Sequence, residues 1–348
     1  MHMRSWLLAL AALLALAISL CLAEQPPADI ASHVPVAGQK ISKLLRNATA
    51  GDVGAQFLLG RAYETGNGAP QDFGEAAHWY MQAANRGQAE AQNNLASLYV
   101  RGLGVPTDYQ QASNWFLRAA VQKFAPAEFN LGLLYSQGMG VRRDEAEALR
   151  WYRKAAERGY SVAQNNLGIL FREGTGVPQD CKQAVAWFRK AAKKGLAQAE
   201  FNLGALYESG CGVPANNGEA AKWYALAAER GTPEAENNLG YLYREGKGVP
   251  ASNAEAIKWF QRAAEQDFPA AQANLGVMYL RGLGVPRDTS TAYMWLTLAG
   301  NAGKHMLSKL QLPVEKLAAA RHSAQTWAAQ HRSPTHLPQG ASSAALLP

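Results

Sequence analysis

The chain has 348 residues, enough for two ordinary globular domains or for one long repeat array. Its formal charge is +7, from 34 Lys and Arg against 27 Asp and Glu, with no basic block of the kind that binds nucleic acid. Three cysteines are too few to frame a chain this long, so an apolar core must hold it.

In chain order, residues 1–23 read as a secretory signal peptide. Arg4 lies in a short basic start, residues 6–20 are almost wholly apolar, and Cys21, Leu22 and Ala23 place small residues at −3 and −1 of a cleavage site. The apolar run is short for a membrane span. Cys21 also stands where a lipoprotein is acylated, but Leu20 before it is larger than that site favours. The mature chain is therefore expected to be periplasmic or secreted, without stable membrane insertion. Residues 24–40 read as a flexible linker, and 41–51 as the second helix of an incomplete repeat.

A strict period follows. Ala55, Ala91, Ala127, Ala163, Ala199, Ala235 and Ala271 are 36 residues apart, as are Trp79, Trp115, Trp151, Trp187, Trp223, Trp259 and Trp295. Residues 52–303 are thus seven units of 36 without insertion, each of which can bury its apolar face only on its neighbours. Within a unit, Ala163, Leu167, Leu170 and Phe171 mark a first helix. Gly174 and Gly176 end it, and Pro178 delays the next. Asp180 and Gln183 form a capping box for a second helix, repeated at Asp72/Glu75, Asp108/Gln111, Asp144/Glu147, Asn216/Glu219 and Ser252/Glu255. Those evenly spaced acids are read as caps and not as catalysts. Ala184, Trp187, Phe188, Ala191 and Ala192 carry the second helix's apolar face, which makes the tryptophans core residues. Beyond the array, residues 304–332 are read as capping helices opened by Pro313, and 333–348 as a disordered tail. Cys181 and Cys211 are the two cysteines left after cleavage and could be bridged in an oxidising space.

The phrase A-x-x-x-L-G-x-x-Y-x-x-G-x-G-V-P-x-D-x-x-x-A-x-x-W-x-x-x-A-A resembles the Sel-one-like repeat, a relative of the tetratricopeptide repeat, in all seven units. The resemblance implies an all-α, right-handed α/α superhelical solenoid whose first helices line a concave groove.

On a helical wheel Asn166 falls about 60° from Ala163, at the border of the buried sector, with Asn165 further round. The Asn166 position also holds Asn94, Asn130, Asn202, Asn238 and Asn274, with Leu58 the one exception. Asparagine is a poor helix former, so six in register need a reason. One is a hydrogen-bonded ladder along the array. The other, implied by the resemblance, is a row of amides gripping the backbone of a bound peptide. The preceding position alternates Phe57, Asn93, Phe129, Asn165, Phe201, Asn237, which would set aromatic platforms between amides if it faced the groove.

No nucleophile, metal or phosphate-loop motif is present, and six of seven histidines lie outside the array. No cofactor or metal is expected. The leading functional expectation is a non-enzymatic envelope scaffold that binds a protein or peptide in its groove. The resemblance allows an envelope regulator or a polysaccharide-export component as that partner. The alternative is a β-lactam-binding or β-lactam-hydrolysing enzyme, as described for cysteine-rich relatives, although this chain lacks their cysteine pairs.

Overall fold

The computed structural model describes residues 37–310 and 313–331. The expected signal peptide, most of the linker, residue 332 and the expected tail, 333–348, lie outside them. Among the described residues there are 17 helices and no strand. They divide into two compact units, one ending at Asp180 and one starting at Cys181.

The first unit opens with α1 (Ala37–Thr49) and continues with three complete helix pairs. These are α2 (Val53–Thr65) with α3 (Phe73–Asn85), α4 (Ala89–Arg101) with α5 (Tyr109–Val121), and α6 (Ala125–Gln137) with α7 (Glu145–Glu157). It closes with α8 (Ser161–Glu173). The second unit begins with α9 (Cys181–Ala192), then pairs α10 (Ala197–Ser209) with α11 (Asn217–Glu229), α12 (Pro233–Glu245) with α13 (Asn253–Glu265), and α14 (Pro269–Arg281) with α15 (Thr289–Leu298). Two further helices follow, α16 (Asn301–Leu307) and α17 (Val314–His331). In each unit a first helix packs on the second helix of its own repeat and on that of the repeat before, the arrangement of an α-solenoid.

The helix ends follow from local chemistry. Asp72, Asp108, Asp144, Asn216, Ser252 and Asp288 each accept a hydrogen bond from a backbone amide two or three residues on. Each such cap stabilises its helix by about 1 kcal/mol. Small residues set the helix spacing. A Cβ added at Gly204 would lie 2.5 Å from the ring of Tyr224, so only glycine lets α10 and α11 approach this closely.

Alanines and the aromatics of the second helices fill much of the core. Tyr80 and Phe116 in the first unit, and Phe188, Tyr224 and Phe260 in the second, are fully buried or nearly so. Each such ring stabilises by about 2–3 kcal/mol through burial. The tryptophans divide: Trp79, Trp115, Trp151 and Trp295 are buried, whereas Trp187, Trp223 and Trp259 are half-buried. The exposed faces of two of these carry cations, with Lys190 Nζ 3.8 Å from the Trp187 ring centroid and the Arg262 guanidinium 4.8 Å from that of Trp259.

Helix α1 starts at Ala37, a few residues ahead of the expected partial repeat. The second helix of the seventh repeat is short: Gly300, at φ 57°, stands where the other repeats continue with alanine, so α15 stops at Leu298 and α16 starts at Asn301.

Candidate partner-binding face

The asparagines are wired into side-chain relays, one seen in each unit. In the first, Asn130 Nδ2 donates to Asn93 Oδ1 (3.1 Å), Asn93 Nδ2 to Asn94 Oδ1 (3.2 Å), and Asn94 Nδ2 to the Tyr80 hydroxyl (3.1 Å). Tyr80 then donates to Glu64 Oε2 at 2.5 Å. In the second, Asn274 donates to Asn237 (2.9 Å), Asn237 to Asn238 (3.3 Å), and Asn238 bonds Tyr224, which donates to Glu208 Oε2 (2.7 Å). Burial first, and then the adjacent glutamate, pushes both phenols upward, so each hydroxyl keeps its proton and remains a donor.

These bonds account for the 72-residue rhythm. Where the first helix carries Phe57, Phe129 or Phe201, the second carries Tyr80, Tyr152 or Tyr224, and the two rings pack 5.3–5.9 Å apart. Where the first helix carries Asn93 or Asn237, the second carries Phe116 or Phe260. In the four seams where the bond is seen, the earlier repeat presents an acceptor to the asparagine of the next: a phenol oxygen at Tyr80 and Tyr224, an amide oxygen at Asn93 and Asn237. Leu58 falls into place as well. The helix before it, α1, has Leu44 at the tyrosine position and offers no acceptor. At the far end, the seventh repeat has Ala273 and Leu296 at the two positions, and the row stops at Asn274.

The structure therefore corrects part of the groove expectation. Phe129 is only 1% exposed, wedged against Tyr152 and Tyr160, and Phe201 is half-buried against Tyr224. They are packing rings and not open platforms, because the tyrosine of the second helix occupies the space over them. Asn165, expected further from the core than Asn166, is the more buried of the two. Asn202 and Asn130 are buried, while Asn94, Asn166, Asn237, Asn238 and Asn274 are half-buried.

A second buried polar row went unnoticed in the sequence. Gln56, Gln92, Glu128, Gln164, Glu200, Glu236 and Gln272 occupy one register, and all are buried. The glutamines at 56, 92, 164 and 272 donate Nε2 to the carbonyls of Ala48, Ala84, Ala156 and Ala264, capping the preceding second helix. A carboxylate cannot donate, so cations come in where glutamate replaces glutamine. Arg158 meets Glu128 at 2.9 Å and Arg230 meets Glu200 at 3.2 Å. Arg262 meets Glu236 at 2.9 Å and also donates to the Ala228 carbonyl. Desolvation outweighs these partners at Glu200 and Glu236 and raises both carboxyls. A column restricted to Gln and Glu is the signal that could have found this row.

On the surface beside the second relay, Tyr241 is half-buried and carries two cations. The Arg244 guanidinium is 5.1 Å and Lys247 Nζ 4.9 Å from its ring centroid, and Lys247 also donates to its hydroxyl at 3.0 Å. Arg244 Nη1 lies 3.4 Å from Asn274 Oδ1, which ties this cluster to the amide row. Cys181 and Cys211 form a disulfide with their Cα atoms 5.4 Å apart. No helix among the described residues is long and apolar enough to cross a membrane.

Comparison with known proteins gives one family. The Sel1 repeat model matches seven times, over residues 53–88, 89–122, 125–160, 161–196, 197–232, 233–268 and 269–304. The chain is similar to the crystal structure of a Sel1 repeat protein from Oxalobacter formigenes, at 33% identity and a TM-score of 0.63, covering 85% of this chain and 86% of that one. It is also similar, at 25% identity and a TM-score of 0.49, to c5321, a protective antigen of uropathogenic Escherichia coli displaying an SLR fold, with 85% and 88% covered. No match to a curated protein was found.

Proposed function

The chain belongs to the Sel1 repeat family, and from that membership we propose that it is a non-catalytic scaffold of the bacterial envelope that grips an extended peptide or protein segment along its relay-bearing face. The observation that carries this reading is the relay itself. It orients the amides of Asn238 and Asn274 before any partner arrives, so little side-chain freedom is lost on binding. A carboxamide has two N–H donors and two acceptor lone pairs, and one Asn274 proton serves Asn237. Structural ladder and backbone grip are therefore compatible in one side chain. Beside the row, Tyr241 and Arg244 supply the aromatic and cationic character that dominates protein interfaces. The Cys181–Cys211 bridge supports an oxidising, extracytoplasmic setting.

The test is capture from envelope extract by immobilised protein, comparing wild type with Tyr241→Ala/Arg244→Ala. Loss of a specific captured protein, with the melting curve unchanged, is expected. Equal capture by both forms refutes this face as the contact. Nitrocefin hydrolysis above the buffer rate by purified protein would overturn the non-catalytic reading in favour of β-lactam chemistry.

A further inference from the structure

At the end of the second unit's amide row lies a depression of about 490 Å³ lined by Leu280, Arg281, Arg287, Met306, Lys309 and Leu310. Its three cations come from three places: the last turn of α14, the loop before α15, and the segment after α16. They are not one solvated helix face. No carboxylate is among the lining residues. The neighbouring carboxylate, Asp288, is committed to its cap, accepting from the amides of Ser290 and Thr291 and from the Thr291 hydroxyl. Three like charges around one concavity repel one another unless an anion joins them.

The repeats supply an internal control. The register of Arg281 elsewhere holds Thr65, Arg101, Gln137, Glu173, Ser209 and Glu245, and that of Arg287 holds Gln71, Thr107, Arg143, Gln179, Ala215 and Ala251. Only the seventh repeat has arginine at both, so the fold does not call for the pair. The turn that carries Arg287 is tied to α14 by the bond from the Asp288 amide to the Tyr279 carbonyl, 3.0 Å. The apolar half of the pocket is equally specific to this place. Leu280 and Leu310 are separated by the same 30 residues as Arg244 and Asn274, which hydrogen-bond in the repeat before. Here α16 packs on both α14 and α15, and the amide row has no continuation, since Leu310 stands in the asparagine register.

We propose that this pocket captures the C-terminal carboxylate of a partner peptide whose last side chain is apolar. The proposal rests on the scaffold reading and names the partner's chemistry. A chain lying along Asn238 and Asn274 meets α16 at this point and must end there. Its terminal carboxylate takes the forked donors of Arg281 and Arg287 together with Lys309, and its last side chain settles on Leu280, Met306 and Leu310. Methionine adapts its shape, so the pocket selects for apolar character more than for one residue.

The experiment is fluorescence anisotropy with fluorescein-labelled hexapeptide pools, randomised at four positions and ending in Leu-Leu, as free acids and as C-terminal amides. A third pool ends in Glu-Leu amide. The free-acid pool is expected to bind roughly 10- to 100-fold more tightly than either amide pool. Arg281→Gln/Arg287→Gln, both exposed and therefore compatible with folding, should abolish the difference, as should Lys309→Gln in part. Equal binding of acid and amide pools, or a preference that survives the arginine changes, overturns the proposal. If acids and amides bind alike and Tyr241→Ala weakens both, the pocket reading falls while the scaffold reading stands. If no pool binds, the pocket reading falls, and the scaffold reading is decided by the envelope capture.

Discussion

Removing the Cys181–Cys211 bridge tests how the second unit is stabilised. The bridge closes a segment with a sequence separation of 30, from the first residue of α9 to the turn after α10. Chain-entropy arithmetic for a loop of this length gives about 12 cal/mol/K, or about 3.6 kcal/mol at 25 °C. The folded geometry does not depend on the bond. A Cβ on Gly212 would lie 2.3 Å from the Cys181 carbonyl oxygen, and the same close contact recurs without a bridge at Gly104 on Phe73 and Gly248 on Asn217. Cys181→Ser/Cys211→Ser should therefore leave native helicity intact and act through the unfolded chain. In urea unfolding followed by circular dichroism, a slope of about 2 kcal/mol/M puts the loss near 1.8 M in midpoint. Reductant should reproduce the shift in wild type and do nothing to the double serine variant. A midpoint change below about 0.5 M, or loss of helicity without denaturant, would refute the reasoning.

Three other outcomes are expected. Tyr224→Phe removes one hydroxyl that serves both Glu208 and Asn238, and should lower stability by about 1–2 kcal/mol; a double-mutant cycle with Glu208→Gln should return a coupling of about 1 kcal/mol. Asp267 sits at φ 58° in a register that holds glycine at 231, so Asp267→Gly should raise stability by about 1 kcal/mol in thermal melts. Glu236 has its carboxyl raised above 4.5 in the fold by burial, so the native state binds more protons than the unfolded state and its contribution to stability falls as pH rises from about that value. Glu236→Gln should flatten that slope and be neutral to about 1 kcal/mol stabilising at pH 7, because glutamine is the residue that caps this site in four other repeats. A steeper slope in the variant would contradict the sign.

The array was legible because its signals are local and repeated. A 36-residue alanine and tryptophan period, glycines at the ends of first helices and a capping side chain ahead of second helices each act within a few residues. The relays were half legible. The six asparagines stood out as poor helix formers, yet their acceptors at Tyr80 and Tyr224 did not, since a tyrosine among alanines reads as one more buried ring. Phe129 was misplaced for the same reason: a wheel for one helix contains nothing of the tyrosine that another helix brings over it. The pocket at Arg281 and Arg287 was out of reach, because it exists only once Gly300 breaks α15 and α16 turns back over α14.

The two ways of answering the seam asparagine have a consequence for how such a chain can lengthen or shorten. In the seams described within each unit, the earlier repeat brings its own acceptor, phenol or amide, and the later one always brings the same donor. Repeats of either kind are thus interchangeable tiles. Splicing one out, or copying one in, within these stretches leaves such a seam chemically closed, and the array can change length one turn at a time without a matched change in its neighbour.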